Sequence, residues 1–286
     1  MIVLTVILAV FVGIALGLLG GGGSILTVPL LAYVAGMEAK QAIATSLLVV
    51  GTTSVVAAVS HARAGRVQWR TGLVFGVAGM VGAYGGGVLA RFIPGSVLLI
   101  GFAVMMVATA IAMLRGRKDV SPADPGHRIP VPKVIAEGLV VGLVTGLVGA
   151  GGGFLVVPAL ALLGGLPMPI AVGTSLVVIA MKSFAGFAGY LTSVTIDWTL
   201  AGMVTAAAVV GALIGARLTA LVNPDSLRKT FGWFVLVMSS VILFEEVHPA
   251  LGMGMVAVTI VVAVVYYVRG RRSSDTPAGT LDTVKS

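Results

Sequence analysis

Apolar residues fall in long blocks along this chain, at roughly 2–19, 24–36, 41–60, 71–90, 96–114, 134–149, 153–165, 168–190, 198–221, 230–244 and 250–268. Most reach or approach the ~20 residues that cross a bilayer as helix, so the pattern predicts a polytopic, all-α membrane protein. The block 153–165 is an exception: 13 residues rise only about 20 Å at 1.5 Å each, short of a ~30 Å hydrocarbon core. It follows a cluster of glycines, as does block 24–36, and the two clusters match. Gly20-Gly21-Gly22-Gly23-Ser24 leads into Pro29, and Gly149-Ala150-Gly151-Gly152-Gly153 leads into Pro158, 129 positions later. Each cluster is expected to bend the chain into a re-entrant or broken hairpin. Unwound backbone inside lipid is costly unless protein or a water-filled cavity satisfies it.

The 129-residue offset extends beyond the bends. Without a gap it aligns Gly13 with Gly142, Gly17 with Gly146, Gly36 with Gly165 and Trp69 with Trp198. It also aligns Ala42-x-x-Thr45-Ser46-Leu47 with Ala171-x-x-Thr174-Ser175-Leu176, and Gly82-x-x-x-Gly86 with Gly211-x-x-x-Gly215. The expected organisation is a first repeat at 1–115, a cytoplasmic linker at 116–133 and a second repeat at 134–246. An extra transmembrane helix at 247–268 and a disordered cytoplasmic tail at 269–286 complete it. Each repeat consists of a glycine-bend hairpin plus three crossings. Three is odd, so the repeats are inverted.

Charge fixes the expected orientation. The chain is 58% hydrophobic and 10% charged, with net charge +8. In a soluble protein that surplus would suggest nucleic acid, whereas here basic cytoplasmic loops account for it and no nucleic-acid partner is expected. With the N-terminus outside and the C-terminus cytoplasmic, 15 of the 18 Lys and Arg fall inside, in the loops around Arg63–Arg70, Arg115–Lys133 and Arg217–Lys229 and in the tail. Only Lys40 and Arg91 fall outside, an asymmetry typical of a plasma-membrane protein. Residues 1–20 lack a basic leader and cleavage site and read as a retained span. The absence of cysteine excludes disulfides and thiolate chemistry. No HExxH, GxSxG, P-loop or His cluster supports an enzyme, a metal or another cofactor.

Candidate chemistry concentrates at the bends and on the helices after them. Gly22, Gly23, Ser24, Gly151, Gly152 and Gly153 would offer backbone N–H groups at the starts of half-helices, converging near mid-membrane on an anion. The same glycines also serve close helix packing. Thr45, Ser46, Thr174 and Ser175 can donate to an oxyanion, or bond back to their own helix carbonyls. Lys182 is the one full charge well inside a span, either a counter-charge or a side chain snorkelling to the surface. His61 and Glu137 mark interfaces. No other carboxylate lies inside a span, which argues against a cation transporter or a carboxylate proton relay.

The Gly-rich bend followed by Val28-Pro29 or Val157-Pro158, with Thr-Ser-Leu on the next helix in each half, resembles the TauE/SafE sulfite-exporter family of membrane permeases. The likeness covers about residues 4–268. It implies a permease for sulfite, sulfoacetate or a related small organosulfur anion, with the glycine bends and Thr-Ser pairs around the substrate. Ala150 interrupts the second glycine run and Gly153 stands opposite Ser24, so the half-sites are not equivalent. An organic-acid importer, an anion channel and a packing scaffold remain alternatives. The partners expected are the small anion and the bilayer, and a homodimer is compatible with the sequence.

Overall fold

The computed structural model describes residues 2–19, 22–114, 131–149, 156, 157, 160, 166, 168–218 and 224–246. Gly151–Gly153, the final expected span and the tail lie outside the described residues. Every regular element among those described is helical. They are α1 (Ile2–Leu19), a broken helix over 22–34, α2 (Ala39–Arg63), α3 (Trp69–Leu89), α4 (Gly95–Leu114), α5 (Val131–Val148), α6 (Met168–Tyr190), α7 (Trp198–Leu218) and α8 (Pro224–Glu246). Four stretches among them are long and apolar enough to cross a membrane: Ala39–Arg63, Trp69–Phe92, Ile170–Tyr190 and Trp198–Leu218.

Local chemistry sets the helix ends. Asp197 Oδ1 accepts from Thr199 N at 3.0 Å and Leu200 N at 3.1 Å, capping the start of α7. His61 and Arg63 occupy the last turn of α2, where cations suit the helix dipole. Helix α5 stops at Gly149, which has φ +75° and donates its N–H to Thr145 O at 2.9 Å. A Cβ at Gly149 would also stand 2.4 Å from Ile43 Cγ2, so conformation and space both demand glycine there.

The first bend is more irregular than the half-helix expected. Residues Gly22–Leu26 form a 3₁₀ turn, Thr27–Pro29 a single α-turn and Leu30–Val34 a π-turn. Pro29 has no N–H to give a regular ladder, and the chain changes hydrogen-bond spacing on either side of it.

Packing relies on glycine. A Cβ on Gly13 would lie 2.2 Å from Ala208 O, and one on Gly142 would lie 2.2 Å from Gly79 O. One on Gly82 would lie 2.2 Å from Leu139 O, and one on Gly211 would lie 2.1 Å from Val10 O. Adding 129 to one contact gives the other, with the partner shifted back by 129. Helices α1 and α7 therefore meet as α5 and α3 do, backbone against backbone, which is how helices associate where no water drives them together. Helices α2 and α6 pack against each other at the centre, and α4 packs on α8.

Beside an apolar core, the surface carries apolar stripes and the interior carries hydroxyls. Leu4, Ile7 and Phe11 form an exposed stripe on α1, as do Leu73, Val77 and Val81 on α3. Thr45, Ser46, Thr53, Ser54, Thr174, Ser175, Lys182 and Ser183 are all buried. Apolar faces outward and hydroxyls inward are what a lipid surround selects.

Candidate functional site

The two Thr-Ser pairs occupy opposite ends of the central helix pair. Helices α2 and α6 run antiparallel: Gly186 lies beside Leu47, Gly51 beside Phe184, and Gly173 beside His61 and Arg66. Ser46 and His61 are 15 residues apart on α2, about 22 Å at 1.5 Å per residue. Thr174 follows Gly173, so it lies near the His61 level. A small anion touching Ser46 does not reach Thr174 in this conformation. The structure holds the two pairs apart along the helices, because antiparallel helices send equivalent positions to opposite ends.

The second bend meets the hydroxyls of the first half. Ser46 Oγ lies 2.7 Å from Gly149 O, where it donates across to the second bend, and 2.8 Å from Ile43 O on its own helix. Thr45 Oγ1 beside it is buried and has no partner among the described residues. The last turn of α1 brings Leu16 and Gly17 close to Leu176, next to Ser175. Ser24 is fully buried. Ser175 Oγ donates to Val172 O at 2.8 Å, the same bond as Ser46 to Ile43. Thr174 Oγ1 accepts from Gln68 N at 2.9 Å, so it ties down the loop before α3.

Lys182 does not snorkel. It is 1% exposed, and its Nζ donates to Thr145 Oγ1 at 3.1 Å. Thr145 in turn donates to Val141 O at 2.7 Å. The lysine stem runs over Gly79, where an added Cβ would stand 3.8 Å from Lys182 Cβ. Residues 138–196 contain no Asp or Glu, and neither does α3. The amino group therefore has a hydroxyl for company; the one carboxylate of α5, Glu137, stands eight residues before Thr145 and makes no ion pair with Lys182 among the described residues. Thr145 stands one turn before Gly149, which places Lys182 near the second bend.

Thr145 and Tyr190 stand beside the second bend, and the sequence did not single them out. The Tyr190 hydroxyl donates to Leu147 O there. A signal existed: the offset sets Lys182 against Thr53 and Tyr190 against His61, positions where the halves differ in chemistry. His61 Nδ1 is buried without a partner among the described residues.

A helical bundle with exposed apolar faces, a glycine bend and a buried lysine defines a membrane transport protein. Residues 5–242 match the family model of the sulfite exporter TauE/SafE, and the chain belongs to that family. It is 33% identical over 240 residues to a "Probable membrane transporter protein" of Xylella fastidiosa strain 9a5c, covering 82% of this chain and 92% of the relative. It is 28% identical over 243 residues to "Probable membrane transporter protein YdhB" of Bacillus subtilis strain 168, covering 84% of this chain and 99% of the relative. No solved structure matches the chain.

Proposed function

We propose that this transporter exports a small sulfur-containing oxyanion, sulfite or an organosulfonate such as sulfoacetate, across the plasma membrane by alternating access. One observation carries the choice of an anion: Lys182 is buried, bonded to Thr145, and without an ion-pair partner among the described residues. A bound anion supplies the missing counter-charge, and an ammonium buried without one is unfavourable. The family description supports sulfite as the first substrate to test.

The machine is two inverted repeats, 1–115 and 134–246, with the N-terminus outside and the C-terminus cytoplasmic. The exchange of close contacts under the 129-residue offset supports it, because a pseudo-two-fold axis makes each half pack as the other does. The second half-site uses Thr45, Ser46, Lys182 and the N–H groups of Gly151, Gly152 and Gly153. The first uses Gly22, Gly23, Ser24, Thr174 and Ser175. The anion engages them in turn as one repeat rocks against the other. Each negative charge leaving a negative-inside cell gains ~2.3 kcal/mol per 100 mV, enough to drive export.

The test is flux in proteoliposomes with labelled sulfite, sulfoacetate, sulfate and acetate, in both directions. Saturable movement of sulfite or sulfoacetate in preference to acetate is expected, and Gly22→Leu should abolish it in folded protein. Preference for acetate would replace the sulfur anion with an organic acid, and unitary conductance would replace the carrier with a channel.

A further inference from the structure

Lys182 is in a different position when the transporter is empty than when it is loaded. Its side chain is 1% exposed, and among the described residues its Nζ has one hydrogen-bond partner, Thr145 Oγ1 at 3.1 Å. That hydroxyl turns its own proton to its helix, with Val141 O at 2.7 Å and Gly142 O at 3.2 Å, so towards Nζ it acts as the acceptor. An amine N–H fills that bond as an ammonium N–H does. The contact holds the lysine in place without asking for a charge.

The ionisable groups on the surrounding helices do not balance one either. On α6 itself there is Tyr190, whose hydroxyl donates to Leu147 O. Helix α3 carries Arg70 in its first turn and the exposed Tyr84. On α2, Lys40 stands in the first turn, and His61 and Arg63 in the last. On α5, Lys133 and Glu137 precede Thr145 by about 18 and 12 Å along the helix. None of them forms an ion pair with Lys182 among the described residues. A bound anion balances the ammonium. Once the anion has left, the ammonium would stand alone in a low-dielectric interior, a strongly unfavourable state, and the empty carrier must still cross back for its next load.

Resting on the assignment of an anion to this lysine, we propose that Lys182 gives up a proton with each anion it delivers, so that the carrier moves one proton together with one anion. Loaded, the lysine is an ammonium facing the anion. On release it passes the proton to water on the receiving side and returns as a neutral amine, still bonded to Thr145. It then takes a proton from water on the side where the next anion binds. A dianion leaving with one proton still carries one net negative charge outward, so the membrane potential drives its export. A monoanion leaving with one proton carries none and gains nothing from the potential. The substrates that this site exports under the membrane potential are therefore dianions, and sulfoacetate is one at neutral pH.

Efflux of labelled sulfoacetate from proteoliposomes of the full-length protein, into weakly buffered medium with a pH-sensitive dye, tests it. A carboxyl group titrates near about 4, so at neutral pH the substrate itself brings no proton. One proton should appear outside per anion released. Lys182→Arg carries a charge that cannot be shed. It should still exchange internal for external sulfoacetate at a reduced rate, because the carrier then never crosses empty. Its net efflux should fall at least about tenfold below that exchange. If the larger side chain prevents folding, the proton count on the wild type decides alone. Sulfoacetate efflux without proton movement overturns the coupling, as does a Lys182→Arg protein whose net efflux keeps pace with its exchange, and both results leave the anion in place. No flux of any labelled anion strikes the anion itself, and the coupled proton falls with it.

Discussion

The two flanks of the central helix pair share a scaffold and differ in contents. On the flank of α3 and α5, Ser46 grips Gly149, and Lys182 fills the space beside Thr145. On the flank of α1 and α7, Thr53 and Ser54 border a small cavity with Leu16 and Ala212. The backbone contacts that hold the helices together are nearly the same on both flanks, down to the atoms a Cβ would strike. Packing therefore obeys the repeat while polar chemistry departs from it. Departures of this kind, at buried positions where they cost most, mark where the halves perform different tasks.

The largest expected effect breaks the comparison at its charge. Lys182→Met removes a charged hydrogen-bonding group from the site, a loss of about 1.5–3 kcal/mol, or ~10- to 150-fold in apparent KM for the anion. Thr53→Met, at the matched position, should change anion KM far less. Equal effects in flux measurements would mean that the lysine carries no special share of recognition.

Next comes the scaffold. Gly82→Ala and Gly211→Ala each force a methyl onto a backbone carbonyl, and should cost about 1–3 kcal/mol in unfolding experiments in mixed micelles. Gly85→Ala and Gly202→Ala meet nothing within 4 Å and should be neutral or gain up to about 1 kcal/mol from helix propensity. If only one of the first two proves costly, the halves do not share their packing.

The smallest effect separates the hydroxyl pairs. Thr174→Val removes the acceptor of a buried bond from Gln68 N and should cost about 1–3 kcal/mol. Thr45→Val loses no bond in this conformation and should leave stability within about 0.5 kcal/mol. It should still slow anion flux, if Thr45 Oγ1 serves the substrate. A Thr45 variant with full flux would remove that hydroxyl from the site.

Much of this protein is written in its sequence because lipid makes the code simple. Long apolar blocks must be helices there, since no other open structure satisfies its own backbone. Glycines 129 residues apart announced close helix packing, since bare backbone is what lets helices touch, whereas the partners, α1 with α7 and α3 with α5, came from the structure. The buried role of Lys182 was half legible. Its position in a span was plain, whereas its choice between surface and interior depended on Gly79 leaving room for the stem. Thr145, Tyr190 and the pairing of the second bend with Ser46 depend on contacts between segments tens of residues apart. Only the antiparallel packing of α2 on α6 decided that Ser46 and Thr174 stand apart, because a linear repeat gives the spacing of equivalent residues along the chain and not the axis that exchanges them in space.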